Sequence, residues 1–208
     1  MRFGNKLPFD DTPAEFEIVR KELETPLRLK KRARIGTMFM GDLFHEDVRD
    51  LDVGSIFRVI EEAGQHTFIV LTKRPGRMSK YIRCYGAPKN VHLGVTACNQ
   101  AEADEKTSVL SQIPAAVRFV SYEPLLTPVA IKSVYGHFPD WVIAGCESGP
   151  GRRPAKIEWF RDLKNQCVNA GVPFFLKQMT GFGDKANKVF HMPELDGKIW
   201  DQLPEAPE

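Results

Sequence analysis

The chain has 208 residues, enough for one domain with a substantial core, and its apolar and charged fractions of 42% and 27% are ordinary for a globular protein. The net charge of +2 favours neither nucleic acid nor a membrane as a partner, and no apolar run approaches the ~20 residues of a membrane span. The four cysteines show no CxxC spacing, which argues against a zinc site or a disulfide framework and fits the reducing cytoplasm. The first residues, MRFGNKLPFDD, lack the apolar segment of a signal peptide.

Strand and helix candidates alternate along most of the chain. The strands are short apolar runs, and the helices carry apolar residues at helical spacing. The predicted strands lie at 16–19, 35–40, 67–71, 91–95, 117–120, 141–144 and 172–176. The predicted helices cover 53–60, 78–82, 101–113 and a segment that begins near Pro154. This alternation predicts βαβ units and a parallel sheet of about seven strands.

The chain length selects among parallel α/β folds. A closed (β/α)₈ barrel typically takes about 250 residues, so this chain is short by roughly one βα unit. We therefore predict an incomplete parallel TIM-like barrel over residues 1–180, with its strands in chain order. Residues 181–208 are polar and proline-containing and are predicted to be a C-terminal appendage. A doubly wound sheet is the alternative, although neither GxGxxG nor GxxxxGK[ST] occurs.

A basic run, LRLKKRAR, occupies residues 27–34. Charge runs usually form a solvated face, and contact with nucleic acid is the alternative.

The stretch 141–154 combines a buried strand with a glycine turn. Glycines on both sides of Pro150 allow the backbone to approach a ligand, and two arginines precede the predicted helix. A strand followed by a glycine turn and a helix can bind anions, because backbone N–H groups and the positive end of the helix dipole point at the turn. The predicted cofactor-binding residues are Gly145, Ser148, Gly149, Gly151 and Arg152. The alternative is an ordinary strand-to-helix loop whose arginines are solvated.

Polar residues follow nearly every predicted strand. In parallel α/β folds these carboxyl ends meet at one rim, which holds the active site. The predicted catalytic residues are Asp42, Lys73, Glu123, Glu147 and Lys177. The acids suit amine or hydroxyl binding or base catalysis, and the lysines suit phosphate or carboxylate. If Glu123 and Glu147 face each other, one pKa should rise. The alternative is that these are unrelated loop residues.

Six sequence blocks occur in a characteristic order: GDLFHE at 41–46, LTKRP at 71–75, LGVT at 93–96, RFVSYEPLL at 118–126, CESGPGRRP at 146–154 and VPFFLKQ at 172–178. Together they resemble a phage- and prophage-encoded family of uncharacterised proteins that is itself thought to be similar to radical S-adenosylmethionine (SAM) enzymes. The resemblance covers residues 16–178. It implies a TIM-like barrel with its site at the strand-end rim.

The chain departs from that family in two places. Family members usually begin with a segment carrying three cysteines, the expected ligands of a 4Fe-4S cluster, and this chain starts after that point. The family's Gly-Gly-Glu is replaced here by Gly145, Cys146 and Glu147. The resemblance therefore implies SAM and a 4Fe-4S cluster as cofactors, but the chain lacks the cysteines that would bind the cluster. Two explanations stay open: the chain is truncated, or it is a relative that has lost the redox chemistry.

Three functions follow from these observations. The first is an enzyme core of the radical-SAM-like family that acts on a nucleotide or nucleic-acid-related substrate in the cytoplasm of a phage-infected or lysogenic bacterium. The second is a non-catalytic module that binds a phosphate-bearing ligand or nucleic acid. The third is a phage accessory protein that acts through protein contacts.

The absent βα unit should leave an apolar, unpaired edge on the sheet. We predict that either residues 1–20 cover this edge or the protein forms a homodimer there.

Overall fold

Parallel β-strands and surface helices alternate in a computed structural model, which describes residues 18–38, 41–181 and 188–205. The helices are α1 Arg20–Leu23, α2 Thr25–Arg28, α3 Asp50–Glu62, α4 Pro75–Tyr85, α5 Gln100–Leu110 and α6 Ile157–Ala170. The strands are β1 Arg34–Thr37, β2 Thr67–Thr72, β3 Val91–Thr96, β4 Val117–Tyr122, β5 Trp141–Gly145, β6 Phe174–Thr180, β7 Val189–His191, β8 Glu194–Leu195 and β9 Lys198–Ile199.

Strands β1 to β7 form one sheet in chain order. The first six are parallel to one another, and β7 pairs antiparallel with β6. The sheet curls into a half-barrel with helices on its outer face. The predictions of an incomplete barrel, of about seven strands and of chain order are therefore confirmed for the described residues. The prediction that all of these strands are parallel is wrong, because β7 is antiparallel. The strand-order reversal of a doubly wound sheet does not occur among them.

The two faces of the sheet bury different side chains. Alternate residues such as Val70, Leu93 and Leu176 point outward into the main core beneath the helices. The intervening positions point to the concave face, where Phe119, Trp141 and Ile143 form a second, smaller core. A strand that is buried over its whole length, such as β5, therefore contributes to both cores.

The helices follow the apolar spacing of the sequence. Helix α3 buries Val53, Ile56, Phe57 and Ile60, as predicted. Asn99 caps the amino end of α5, where its side chain accepts a hydrogen bond of 3.0 Å from Glu102 N. Gly171, just after the last residue of α6, caps that helix with a positive φ of 68°.

Several predicted boundaries were wrong. Ile18 and Val19 are not in a strand, and Phe16 and Glu17 lie outside the described residues. The first strand covers 34–37 and not 35–40, of which 39 and 40 are not described. Helix α6 begins at Ile157 and not near Pro154, so the loop after β5 is longer than predicted. The last parallel strand covers 174–180 and not 172–176.

The predicted appendage contributes β7 to the sheet and contacts it at several further residues. Leu195 is buried, and the Trp141 indole donates a hydrogen bond of 2.9 Å to Gln202 O. Leu176 N donates to Trp200 O at 2.7 Å. The division into residues 1–180 and 181–208 stays a prediction, and these contacts join the two parts. No helix in the described ranges is long and apolar enough to cross a membrane.

Candidate functional site

A cavity of about 340 Å³ opens on the concave face of the half-barrel. Its wall is mainly apolar, and a few polar side chains enter it from β4, β6 and β1. The lining residues are Arg34, Ile69, Leu71, Phe119, Ser121, Glu123, Trp141, Ile143, Phe175, Lys177, Met192, Asp201 and Leu203. An apolar pocket with a small number of convergent polar groups is typical of a ligand site.

Glu123, just after β4, is the half-buried acid of this cavity. Its Oε2 accepts a hydrogen bond of 2.9 Å from Ser121 Oγ. Lys177 Nζ lies 3.1 Å from Oε1, and the two groups form an ion pair. Oε1 itself is buried and forms no hydrogen bond with a described residue, so the ion pair with Lys177 compensates its charge.

Gly145, at the end of β5, makes room for this carboxylate. A Cβ at this position would lie 2.5 Å from Glu123 Oε1 and 3.1 Å from Glu123 Cγ. Any larger residue would push the Glu123 side chain away from its place. Gly145 thus belongs to the cavity through Glu123, and its predicted role in cofactor binding stays a prediction.

Aromatic rings form the floor of the cavity. The ring of Trp141 lies 5.4 Å from that of Phe119 and 6.1 Å from that of Phe175, centroid to centroid. Phe119 covers Gly94 of β3, where a Cβ would lie 2.2 Å from the ring. Phe119 and Trp141 are buried, whereas Phe175 and Leu71 are partly exposed and form the accessible apolar surface.

Asp42 and Lys73 come together in a separate network beside β2. Asp42 accepts hydrogen bonds from Thr72 Oγ1 at 2.6 Å, from the backbone N of Phe44 and Lys73 at 3.0 Å, and from Arg74 at 3.0 Å. Burial acts to raise the pKa of Asp42, but these hydrogen bonds outweigh burial and lower it. The carboxylate holds the β1–α3 loop to the end of β2. The catalytic roles of Asp42 and Lys73 stay predictions, and neither residue lines the concave cavity.

Glu147 is bound within its own loop. Arg153 donates to it from the backbone N at 2.7 Å and from the guanidinium at 2.7 and 3.2 Å. The side-chain hydrogen bonds from Arg153, with its backbone bond, lower the pKa of Glu147 to about 2. Glu147 therefore does not have the raised pKa that we predicted for a carboxyl group facing Glu123. Its catalytic role stays a prediction.

The same ion pair bears on the predicted anion site. The backbone N–H of Arg153 already donates to a carboxylate of the chain, and helix α6 begins only at Ile157. A phosphate would have to use the remaining amides of the loop. The cofactor-binding roles of Ser148, Gly149, Gly151 and Arg152 stay predictions.

The four cysteines lie on different elements. Cys84 is exposed on α4, Cys98 and Cys146 follow β3 and β5, and Cys167 is buried on α6. Burial raises the pKa of Cys98 and Cys146, and raises that of Cys167 to about 12. Throughout the described ranges, no three Cys, His, Asp or Glu side chains are placed to hold a metal. These cysteines do not fit a 4Fe-4S cluster.

Sequence reasoning missed most of the cavity wall. It identified Glu123 and Lys177, which the structure brings together, but not Ser121, Phe119 or Trp141. The available signal was the alternation along each strand, since Phe119, Ser121 and Glu123 are two residues apart and so share one face. In β5 every residue is apolar, so the sequence does not show which of its side chains point to the concave face.

The fold and the cavity define a class: an α/β half-barrel with a partly buried acid–lysine pair where the parallel strands end. The chain belongs to a family described as "Protein of unknown function (DUF5131)", which matches residues 3–204. No curated protein and no solved structure matches it. The resemblance to an uncharacterised family is confirmed at that level.

Proposed function

We propose that the protein is the core of an enzyme that acts on a nucleotide or nucleic-acid-related substrate, and that the concave cavity holds this substrate. One observation carries the proposal. Glu123 and Lys177 form an ion pair of 3.1 Å in a mainly apolar cavity of about 340 Å³, and Glu123 Oε1 forms no hydrogen bond with a described residue. A ligand N–H group can donate to this oxygen when Lys177 turns away from it.

A heteroaromatic base fits the chemistry of the wall. Its face can pack against Phe175 and Leu71, and stacking of a base on an aromatic side chain contributes about 1–3 kcal/mol. Its exocyclic amine can donate to Glu123, since carboxylates accept hydrogen bonds from base amines. Trp141 contributes only its ring, because its N–H already donates to Gln202 O.

The polar side chains supply proton transfer and charge stabilisation. Glu123 can accept a proton from a bound substrate, and Ser121 orients its second oxygen. Lys177 has about half of its side chain exposed, so it can turn from Glu123 to a ligand phosphate. SAM is a candidate ligand because the resemblance implies it. We derive no step through an iron–sulfur cluster, because the cysteines do not fit one.

Thermal-shift measurements with nucleosides, nucleotides and SAM test the proposal. A ligand that occupies the cavity raises the melting temperature of the wild type. Glu123→Gln should remove most of that increase, because the ligand N–H loses its charged acceptor. Glu158→Gln, the same change on the exposed surface of α6, is the matched control and should retain it. No shift with any ligand, or equal shifts in both variants, would contradict the proposal.

A non-catalytic binding module is the second candidate. The failure of the cysteines to converge favours it, since the redox chemistry of the resembled family needs a cluster. Incubation of a bound ligand with the protein, followed by mass spectrometry, separates the two candidates. Conversion that is lost in Lys177→Met supports the enzyme, and binding without any product supports the module.

We also propose that the half-barrel is related to the TIM-like barrel of radical SAM enzymes, that the protein is phage-encoded and that it acts in the bacterial cytoplasm. The chain order of the strands and the position of the acid–lysine pair support the first of these. Strand β1 pairs only with β2 in the described part of the chain, which supports either coverage of its other edge by residues 1–20 or a homodimer through that edge. Residues 1–17 lie outside the described ranges, so coverage by this segment stays a prediction. Light scattering that finds only monomers would contradict the dimer.

A further inference from the structure

A second cavity, of about 410 Å³, lies at the opposite end of the strands from the acid–lysine pair. It is lined by Arg34 and Thr67, the first residues of β1 and β2, which are partners in register. Trp141, the first residue of β5, and His92, the second of β3, also line it. The cavity therefore marks the amino-terminal end of the half-barrel.

Two arginines, Arg32 and Arg34, line this cavity. Arg32 and Arg34 are exposed, and neither forms an ion pair with any residue that the structure describes. The nearby carboxylate of Asp140 is taken by Arg118, which donates from its backbone N at 2.7 Å and from Nε at 3.2 Å. Asp201 lines the adjoining concave cavity together with Arg34 but forms no ion pair with it. The two arginines are thus available to an anion.

His92 adds a buried polar group at the same place. Its side chain is 6% exposed and lies on the concave face. The neighbouring residues of the strand, Val91 and Leu93, point to the opposite face and belong to the main core. Its Nδ1 is buried and has no hydrogen-bond partner among the described residues. Burial and then Arg34 lower the pKa of His92, and Asp140 opposes them. A neutral imidazole has one N–H to donate.

We infer that this amino-terminal cavity binds a phosphate group, held by the guanidinium groups of Arg32 and Arg34 and by the imidazole of His92. A guanidinium offers a planar fork of N–H donors that matches two phosphate oxygens. Two forks and one imidazole can serve the three terminal oxygens of a monoester or the oxygens of successive phosphodiesters. The basic run at 27–34, which contains both arginines, adds attraction for such ligands.

The site is separate from the one proposed for the enzyme. His92 is level with Val117 of β4 in the sheet register, and Glu123 lies six residues farther along the chain. Six extended residues span about 20 Å. A single phosphate therefore cannot contact both His92 and Glu123. Arg34 lines both cavities, so the Glu123 variant and the His92 ring signals are what distinguish the two sites.

Thermal-shift and calorimetric titrations of the full chain with inorganic phosphate test the inference, against sodium chloride at equal ionic strength. The wild type should gain melting temperature with phosphate. Arg32→Ala with Arg34→Ala should abolish the gain and raise the dissociation constant at least about tenfold, because charge-assisted hydrogen bonds are lost. Lys30→Ala with Lys31→Ala is the matched control: it removes the same charge from the same segment but not from the cavity wall, and should retain the gain.

Two further variants locate the site. Glu123→Gln should leave phosphate binding unchanged, and so should Arg152→Ala with Gly149→Val in the loop after β5. In the wild type, the ¹⁵N signals of the His92 ring, assigned with His92→Gln, should shift on addition of phosphate. This measurement needs no arginine variant to fold.

Three ligands distinguish the sources of the phosphate: inorganic phosphate, a nucleoside 5′-monophosphate and a single-stranded oligonucleotide without a terminal phosphate. Binding of either of the first two through the arginines assigns the cavity to a monoester or free phosphate. Binding of the oligonucleotide alone assigns it to a nucleic-acid backbone. The inference is overturned if none of the three binds, if binding survives loss of both arginines, or if the lysine control or the loop variant loses it equally.

Discussion

Replacement of Gly145 by alanine should displace the Glu123 carboxylate. The new methyl group would lie 2.5 Å from Oε1, which is closer than non-bonded atoms approach, and 3.2 Å from Gln178 Cγ. Gly145 does not have a positive φ, so its backbone accepts alanine. The atom in the way is the end of a flexible side chain, and the Glu123 side chain is what will move.

The magnitude follows from the contacts that Glu123 loses. Its hydrogen bond from Ser121 contributes about 1.5–3 kcal/mol, because the acceptor is charged. The ion pair with the half-exposed Lys177 contributes at most about 1 kcal/mol. Replacing a strand glycine returns about 0.5–1 kcal/mol, and hydration of the displaced carboxylate returns part of the rest. We expect a net destabilisation of about 1–2 kcal/mol, which lowers the melting temperature by roughly 2–8 °C.

A double-variant cycle isolates this effect. In a Glu123→Ala background the Glu123 atoms nearest the new methyl group are gone and the 3.2 Å contact with Gln178 Cγ remains, so Gly145→Ala should be close to neutral, and the two changes should couple by about 1–3 kcal/mol. Gly149→Ala is the control, because a Cβ there meets nothing within 4 Å. Thermal and urea unfolding give the free energies. Equal destabilisation by Gly145→Ala in both backgrounds would refute the reasoning.

Three further predictions each concern the surroundings of one residue. Gly94→Ala should destabilise by about 1–3 kcal/mol in urea unfolding, because the buried Phe119 ring lies 2.2 Å from the added Cβ, and Phe119→Leu should relieve part of this. Asp42→Asn should cost about 1–3 kcal/mol at pH 7; because the pKa of Asp42 is lowered on folding, its contribution is complete above pH 3.8 and lost as the pH falls through the folded value, so wild type and variant should converge in acid unfolding. NMR titration of the Glu147 carboxyl should give a midpoint of about 2, returning toward 4.5 in Arg153→Met; an unchanged midpoint would show that Arg153 is not the cause.

The order of the strands and the meeting of Glu123 with Lys177 could be predicted from the sequence. Both depend on local periodicity and on one geometric fact, that the carboxyl ends of parallel strands converge. The engagement of the other polar residues could not be predicted in the same way. Four donors from two separate segments bind Asp42, and no pattern of spacing distinguishes such a carboxylate from a free one.

The contacts of the C-terminal part were also beyond sequence reasoning. Trp141 and Gln202 are 61 residues apart, and β7 to β9 are only two or three residues long. Strands this short show no periodicity, and their pairing depends on tertiary contacts. A polar segment with prolines therefore indicates an appendage even when its backbone pairs with the sheet.

Residues 200–202 have a consequence for any shortened form of the chain. They pair with the outer edge of β6, where Gln202 Oε1 accepts a hydrogen bond from Phe174 N across 28 residues of chain. A chain cut before residue 200 would keep β1 to β6 but would leave this part of the β6 edge unpaired. An open edge invites pairing with another chain. Loss of the residues from 200 onward, by a premature stop codon or by a protease, should therefore make the protein prone to aggregation.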